Sequence, residues 1–401
     1  MLVGTSLKQQ VGAANELTAR WCAAAGEADF VLSGAGVWPL LALLAAAADG
    51  PARAELAAAA GIPADTGQTA AVQLIEILDD AVDIAGALGI WVRKDLPLHD
   101  DWVAEQPKGT IDLLTDQAAL DSWAAQHTGG LMEKFPLRLE PETVLVLATA
   151  LVAKTKWRKP FEEILLVPER GPWQGVRISG LYRWTDDIDA AAILDGPTPV
   201  TRVIVTGTAD LDVHLLVGDG DPGTVLRTGL GALTGAVPVS TELPPGTTGP
   251  GLQVTTVEST DRHDRLGIRL PSFDIRSFHN LLALPEVFGL RAATDTTRGH
   301  FPRISPAPLA VNQAAQDVLA RFTREGFESA AVTAMGMVLA GMARPTHTIR
   351  AASVEFDRPF GFLAVHRPSG LAVTAGWVAT PTPAPPPRSG GAPGEFGRVF
   401  R

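Results

Sequence analysis

Cysteine is almost absent from this chain: Cys22 is the single one in 401 residues, so no internal disulfide can form and no multi-thiolate metal site can be assembled. A basic surplus is missing as well. Lysine and arginine number 33 against 44 aspartates and glutamates, a formal net charge of −11 with no basic cluster, which excludes the usual electrostatics of nucleic-acid binding. The most apolar uncharged stretch, Phe30 to Ala48, is interrupted by Ser33, Gly34, Gly36 and Pro39, so it predicts a short strand and a buried helix, with Pro39 near the helix start, rather than a membrane span. The first twenty residues carry Lys8, Glu16 and Arg20 without a long apolar run, which leads to the expectation of a cytoplasmic location.

Motifs of chemistry are missing too. Leu32-Ser33-Gly34 has Val31 and Ala35 where a nucleophile elbow needs glycines, so Ser33 is read as structural. Gly218, Gly220 and Gly223 have dinucleotide-fingerprint spacing, but Asp219 and Asp221 would repel a pyrophosphate and Pro222 lacks a backbone donor; a plain turn is predicted. His263, His279 and His300 lack the close spacing of metal ligands and no nucleophile–base pair is visible, so neither metal, cofactor nor enzymatic activity is expected.

What is present is a globular composition, 46% hydrophobic and 19% charged. The first third is alanine-rich with helical periodicity: Leu40, Leu43, Leu44 and Ala47 share one face and Val72, Ile75 and Leu78 another, with Asp49 and Gly50 expected to close the first helix and Gly61 the next. From Val144 to Leu147 a continuous apolar run predicts a central strand, and strands are predicted at 201–205, 211–216, 252–258 and 266–270. Phe360 to Val365 and Leu371 to Val378 form a terminal hairpin. The proline- and glycine-rich residues 381–401 predict a flexible tail. Helices followed by many strands, without regular alternation, place the chain in the α+β class.

One segment is unusual for a surface loop. Arg324-Glu325-Gly326-Phe327-Glu328-Ser329-Ala330-Ala331-Val332-Thr333-Ala334 leads into Met335 to Ala343, and from Ser329 to Ala343 there is neither charge nor proline, so the stretch is able to join a sheet. Its Glu325, Gly326, Glu328, Ala330, Ala331 and Thr333 resemble, in register, the hinge of the serpin family. The closing Asp357-Arg358-Pro359-Phe360-Gly361-Phe362-Leu363, then Ser369-Gly370 and Gly376-Trp377-Val378 with Pro381, is similar to that family's C-terminal hairpin. Phe30 to Gly50, the trio Trp123, Thr128 and Gly130, and Lys154-Thr155-Lys156-Trp157-Arg158-Lys159-Pro160-Phe161 resemble three further family segments.

The resemblance implies one serpin domain over 1–380, with helices around a large central mixed sheet, two further sheets and an exposed reactive loop. It implies a monomeric suicide inhibitor of serine proteases, whose cut loop inserts into the main sheet; the alternative is a non-inhibitory serpin acting as a binding or scaffold protein. The family's spacing from Gly326 places the reactive bond at Ala340-Gly341, and a small residue there suits a shallow-pocketed protease, elastase-like or subtilisin-like. The hinge would comprise Glu325, Gly326, Phe327, Glu328, Ser329, Ala330, Ala331 and Thr333, with Phe327, Ser329, Ala331, Thr333 and Met335 turned inward on insertion. Ser33, Gly36, Thr149 and Gln316 occupy the region that controls sheet opening. Phe327 stands where the family has threonine, and its ring is expected to slow insertion by overpacking. Family habit also allows an extracellular location, and the composition suggests a bacterial source.

Overall fold

The computed structural model describes residues 2–327 and 347–385. Its helices, numbered along the chain, are α1 (Leu2–Ala24), α2 (Gly34–Ala47), α3 (Gly50–Ala60), α4 (Gly67–Asp80), α5 (Asp100–Ala104), α6 (Gln117–His127), α7 (Pro222–Thr234) and α8 (Pro285–Phe288). Ser33 caps α2, its Oγ accepting from Gly36 N at 3.0 Å. Two expectations need correction. Pro39 lies inside α2 rather than near its start, because capping at Ser33 begins the helix several residues earlier. Asp49 and Gly50 do not close α2; Ala48 does, through its N–H to Leu44 O, and Asp49 and Gly50 open α3. Pro51 explains the shift, since proline cannot continue one helix but is tolerated in the first turn of the next. Gly61 closes α3 in the left-handed conformation, as expected.

The strands form four sheets. The largest has the order β1 (Phe30–Leu32), β20 (Leu371–Val378), β19 (Phe360–His366), β10 (Leu211–Gly218), β9 (Pro199–Thr206), β8 (Ala191–Asp195) and β11 (Val239–Ser240). A six-stranded sheet runs β12 (Thr248–Gly249), β13 (Leu252–Ser259), β18 (His347–Glu355), β14 (Arg265–Pro271), β7 (Ile178–Thr185) and β6 (Glu162–Leu166). A three-stranded sheet pairs β3 (Ile111–Leu113), β2 (Ile84–Val92) and β4 (Leu145–Ala153); a four-stranded one pairs β15 (Phe273–Asn280), β16 (Ala315–Phe322), β17 (Gly326–Phe327) and β5 (Thr155–Lys156). The predicted hairpin is β19–β20, and the predicted central strand is β4, which extends well beyond the Val144–Leu147 run. The glycine-spaced turn after β10 is a turn: Asp221 caps α7 and Pro222 occupies its first position.

The seven-stranded sheet is covered on both faces. On one side Gly229 of α7 lets Leu216 and Leu363 close on the helix; on the other, Phe362 stacks on Phe273 of β15 at 4.8 Å. One continuous core joins these layers, and a smaller cluster of Trp91, Trp123 and Phe135 fastens α6 across the three-stranded sheet. Residues 381–385 run beside β7, with Ser179 N donating to Thr382 O at 2.9 Å and Ala384 N to Arg177 O at 3.0 Å. Cys22 is buried and burial pushes its thiol well above the usual range. No helix of the described residues is long and apolar enough to cross a membrane.

His214, on the helix side of β10, is buried with its Nδ1 unpartnered among the described residues. Burial first, and then the nearby Arg202 guanidinium, hold its pKa down to about 3. The unfolded chain protonates histidine near pH 6.5, so the fold binds fewer protons below that pH, and this contribution to stability is present above 6.5 and lost as pH falls toward 3. Urea unfolding of His214→Phe is therefore expected to lose stability less steeply than wild type between pH 6.5 and 4.5, the difference in slope approaching about 1.4 kcal/mol per pH unit. Equal slopes would mean that the ring protonates inside the fold.

Candidate functional site

The chain leaves β16 at Phe322 and reverses at once. Thr323 N donates to Gly326 O at 2.9 Å, and Gly326 and Phe327 return as β17, antiparallel to β16 through Phe322↔Phe327. The opposite edge of β17 pairs with β5, Gly326↔Lys156 and Phe327↔Thr155. The Lys154–Phe161 block fixes this turn: Trp157 N donates to Glu325 O at 3.0 Å, Phe161 N to Arg324 O at 2.9 Å, and Trp157 Nε1 to Thr323 O at 2.9 Å. Behind it, Trp157, Phe161, Phe273 and Phe322 pack ring to ring, and the Arg183 guanidinium lies 4.5 Å over Phe161. Burial lowers the pKa of Arg183 to about 10.

Only glycine fits at 326. A Cβ there would stand 2.2 Å from Thr155 O, a backbone atom that cannot swing away. Phe327 is 1% exposed and meets Phe362 edge-on at 6.2 Å. The ring is already seated in the described structure, with Thr155 opposite it in the pairing; the expectation that it slows insertion turns on residues beyond Phe327, which lie outside the described residues.

Below the seated pair the two halves of the sheet part. β4 pairs with β2 along Ile84↔Ala153 to Val92↔Leu145, and β16 pairs with β15 along Phe273↔Phe322 to Asn280↔Ala315. Among the described residues, no strand pairs with the facing edges of β4 and of β16 from Ala315 to Arg321. A cavity of about 440 Å³ lies there, lined by β4, β16, α2 and α6.

Ser33, Gly36, Thr149 and Gln316 meet at the floor of this gap. Gln316 grips Ser33 twice, Oε1 accepting from Ser33 N and Nε2 donating to Ser33 O, both at 2.9 Å. Ser33 Oγ donates to Val373 O at 2.6 Å, and Thr149 Oγ1 donates to Gly36 O across the gap. Gly36 lacks the atom that would crowd Gln316: a Cβ would lie 3.2 Å from its Nε2. Two members escape sequence reasoning. His279, directly opposite Gln316 on β15, has Nε2 2.8 Å from Val31 O, and burial lowers its pKa; Thr374 Oγ1 is buried, lines the cavity and has no partner among the described residues. Only strand register brings either one here.

Gln316→Leu removes both bonds to Ser33 while keeping bulk. It is expected to cost about 2 kcal/mol in urea unfolding, because the Ser33 amide and carbonyl lose their partners together. No change would show that water replaces both bonds freely. Of the remaining sites expected from sequence, Glu325 lies in the turn, whereas Glu328, Ser329, Ala330, Ala331, Thr333, Ala340 and Gly341 lie outside the described residues. Among the described residues no three His, Cys, Asp or Glu side chains are grouped to hold a metal ion.

A family model described as Serpin (serine protease inhibitor) matches residues 10–169 and 247–381, well over half of the chain. The chain belongs to the serpin family. No curated protein matches this serpin by sequence. Solved structures similar to it include native protease nexin-1 with heparin, at 14% identity over 94% of this chain and 100% of that one, TM-score 0.66. Cleaved Serpin 42Da is similar at 15% identity, 94% and 98% coverage and TM-score 0.67. Human thyroxine-binding globulin complexed with thyroxine is similar at 16% identity, 94% and 98% coverage and TM-score 0.67. At such identities these likenesses show the fold alone, which is the α+β serpin fold.

Proposed function

We propose that this serpin inhibits serine proteases as a one-domain suicide substrate, cut between Ala340 and Gly341 and trapping the protease as its loop fills the split main sheet. The observation that carries this reading is the seat of Gly326 and Phe327, in register at the head of a gap with two unpaired edges. Continued down the gap, both registers would bring Glu328 between Lys154 and Arg321, the latter already paired with Asp274. Thr333 arrives between Thr149 and Gln316, beside the polar floor that includes the unpartnered Thr374 hydroxyl. Met337 falls beside Leu145, the first residue of β4, so a strand freed after Ala340 runs the full depth of the gap.

Incubation with an elastase-like or subtilisin-like protease, then denaturing electrophoresis and mass analysis, tests the reading. The expected result is a denaturant-resistant complex and a released peptide beginning at Gly341. Clean cleavage with no complex from any such protease would instead support the alternative, a serpin serving as a binding or scaffold protein. The likeness to thyroxine-binding globulin makes that outcome a definite competitor.

A further inference from the structure

The helix side of the seven-stranded sheet holds a positive charge with no negative one to answer it. Arg202 of β9 pairs across the ladder with Leu216 of β10, and Ile204 with His214. Arg202 and His214 are therefore diagonal neighbours on one face, at backbone positions about 7–8 Å apart. Arg202 is 9% exposed and His214 7%. Among the described residues neither side chain has a hydrogen-bond or ion-pair partner. Asp212, the carboxylate on the same face of β10, is already engaged: Arg367 donates to it from Nε at 2.8 Å and from Nη2 at 2.7 Å, and Gly207 N donates at 3.1 Å. A guanidinium keeps its proton at any ordinary pH, and burying one without a partner costs several kcal/mol. That cost falls away if a counter-ion sits beside it.

The atoms left open define the counter-ion. Arg202 Nε and His214 Nδ1 are sealed from solvent, whereas Arg202 Nη1 and Nη2 and His214 Nε2 are not. A proton on the sealed Nδ1 would be a buried donor without an acceptor, so the neutral ring carries it on Nε2. All three open nitrogens then offer N–H groups and no acceptor, which suits an anion and not a cation. Ala192, opposite Arg202 on β8, adds no bulk beside the guanidinium. Charge sets the valence. Burial holds the imidazole neutral, so the pair carries one positive charge, which a monovalent anion balances and a phosphate dianion would exceed.

We propose that Arg202 and His214 form a binding site for one small monovalent inorganic anion, chloride being the occupant, held by the Arg202 Nη atoms and His214 Nε2 on the helix side of β9 and β10. Bound there, the anion ties the two strands together through their side chains and cancels the buried charge.

Thermal unfolding at neutral pH and constant ionic strength, with chloride replacing gluconate, tests the site. The wild-type midpoint is expected to rise and saturate, gaining about 2 °C between zero and tenfold the dissociation constant. Arg202→Met, which keeps the bulk without the charge, is expected to show no rise, and phosphate at the same ionic strength to stabilise the wild type less than chloride does. Bromide soaked into wild-type crystals is expected to give an anomalous peak within about 3.5 Å of the Arg202 Nη atoms. A flat chloride titration of the wild type, or an equal rise in wild type and Arg202→Met, overturns the site, and a stronger response to phosphate overturns the monovalent assignment. Should Arg202→Met fail to fold, the crystals decide alone: no bromide beside Arg202 overturns the proposal.

Discussion

Cutting the chain between Ala340 and Gly341 is expected to raise the midpoint of thermal unfolding by on the order of 10 °C or more. The freed strand would join β4 over about ten residues and β16 over about seven, turning edges that are unpaired among the described residues into ladders. Roughly twenty backbone hydrogen bonds at about 1 kcal/mol net each, reduced by about half for ordering the strand, leave about 10 kcal/mol. Spread over an unfolding entropy of about 2 cal/mol/K per residue, that gives the stated rise. Scanning calorimetry of intact and cut protein reads it directly. A cut chain that melts where the intact one melts would leave no driving force for trapping, and the inhibitory reading would be abandoned with it.

Thr333→Arg is expected to abolish the trapped complex while leaving the loop cleavable. On the proposed insertion the register would set this side chain inward between Thr149 and Gln316, over the floor formed by Ser33 and Gly36; of the two carboxylates lining the cavity, Glu142 precedes the first residue of β4 and Asp317 is already paired with Arg276. Burying an unpaired guanidinium costs several kcal/mol, enough to halt the strand partway, so hydrolysis of the acyl-enzyme overtakes trapping. A loss of complex of at least tenfold in denaturing electrophoresis is the predicted outcome. Ala334→Arg, one residue on and outward, is the control and should still trap. Equal behaviour of the two variants would refute the register, even if inhibition itself were established.

Much of the fold was legible because local chemistry dictated it. Alanine-rich periodicity marked α2, α3 and α4, and the apolar runs marked β19 and β20. Errors arose where a local signal had two readings. Asp49, Gly50 and Pro51 serve equally as the end of one helix or the start of another, and the neighbouring His300 carbonyl, which accepts from Asp49 N at 3.0 Å, is one tertiary contact that fixes the boundary. What could not be read was pairing across long separations. The strands β13 and β14 were visible at 252–258 and 266–270, but that β18 threads between them depends on residues about ninety positions away. His279 looked like an isolated histidine for the same reason, since its place beside Gln316 is a matter of register and leaves no trace in spacing.

The seated Phe327 also bears on kinetics. Starting a new strand in a sheet is the slow part of adding one, because the first pairing must gather a free chain end against loop-closure entropy before any ladder rewards it. Here that nucleus forms during folding and persists in the native state. After the proposed cut, the remaining residues would need only to propagate from it, each advance fixed in register by the one above. On the proposed reading, insertion would then behave as a zipper with its first tooth already engaged, its rate set by how readily Gln316 and Thr149 release their hold on α2 rather than by any search by the loop.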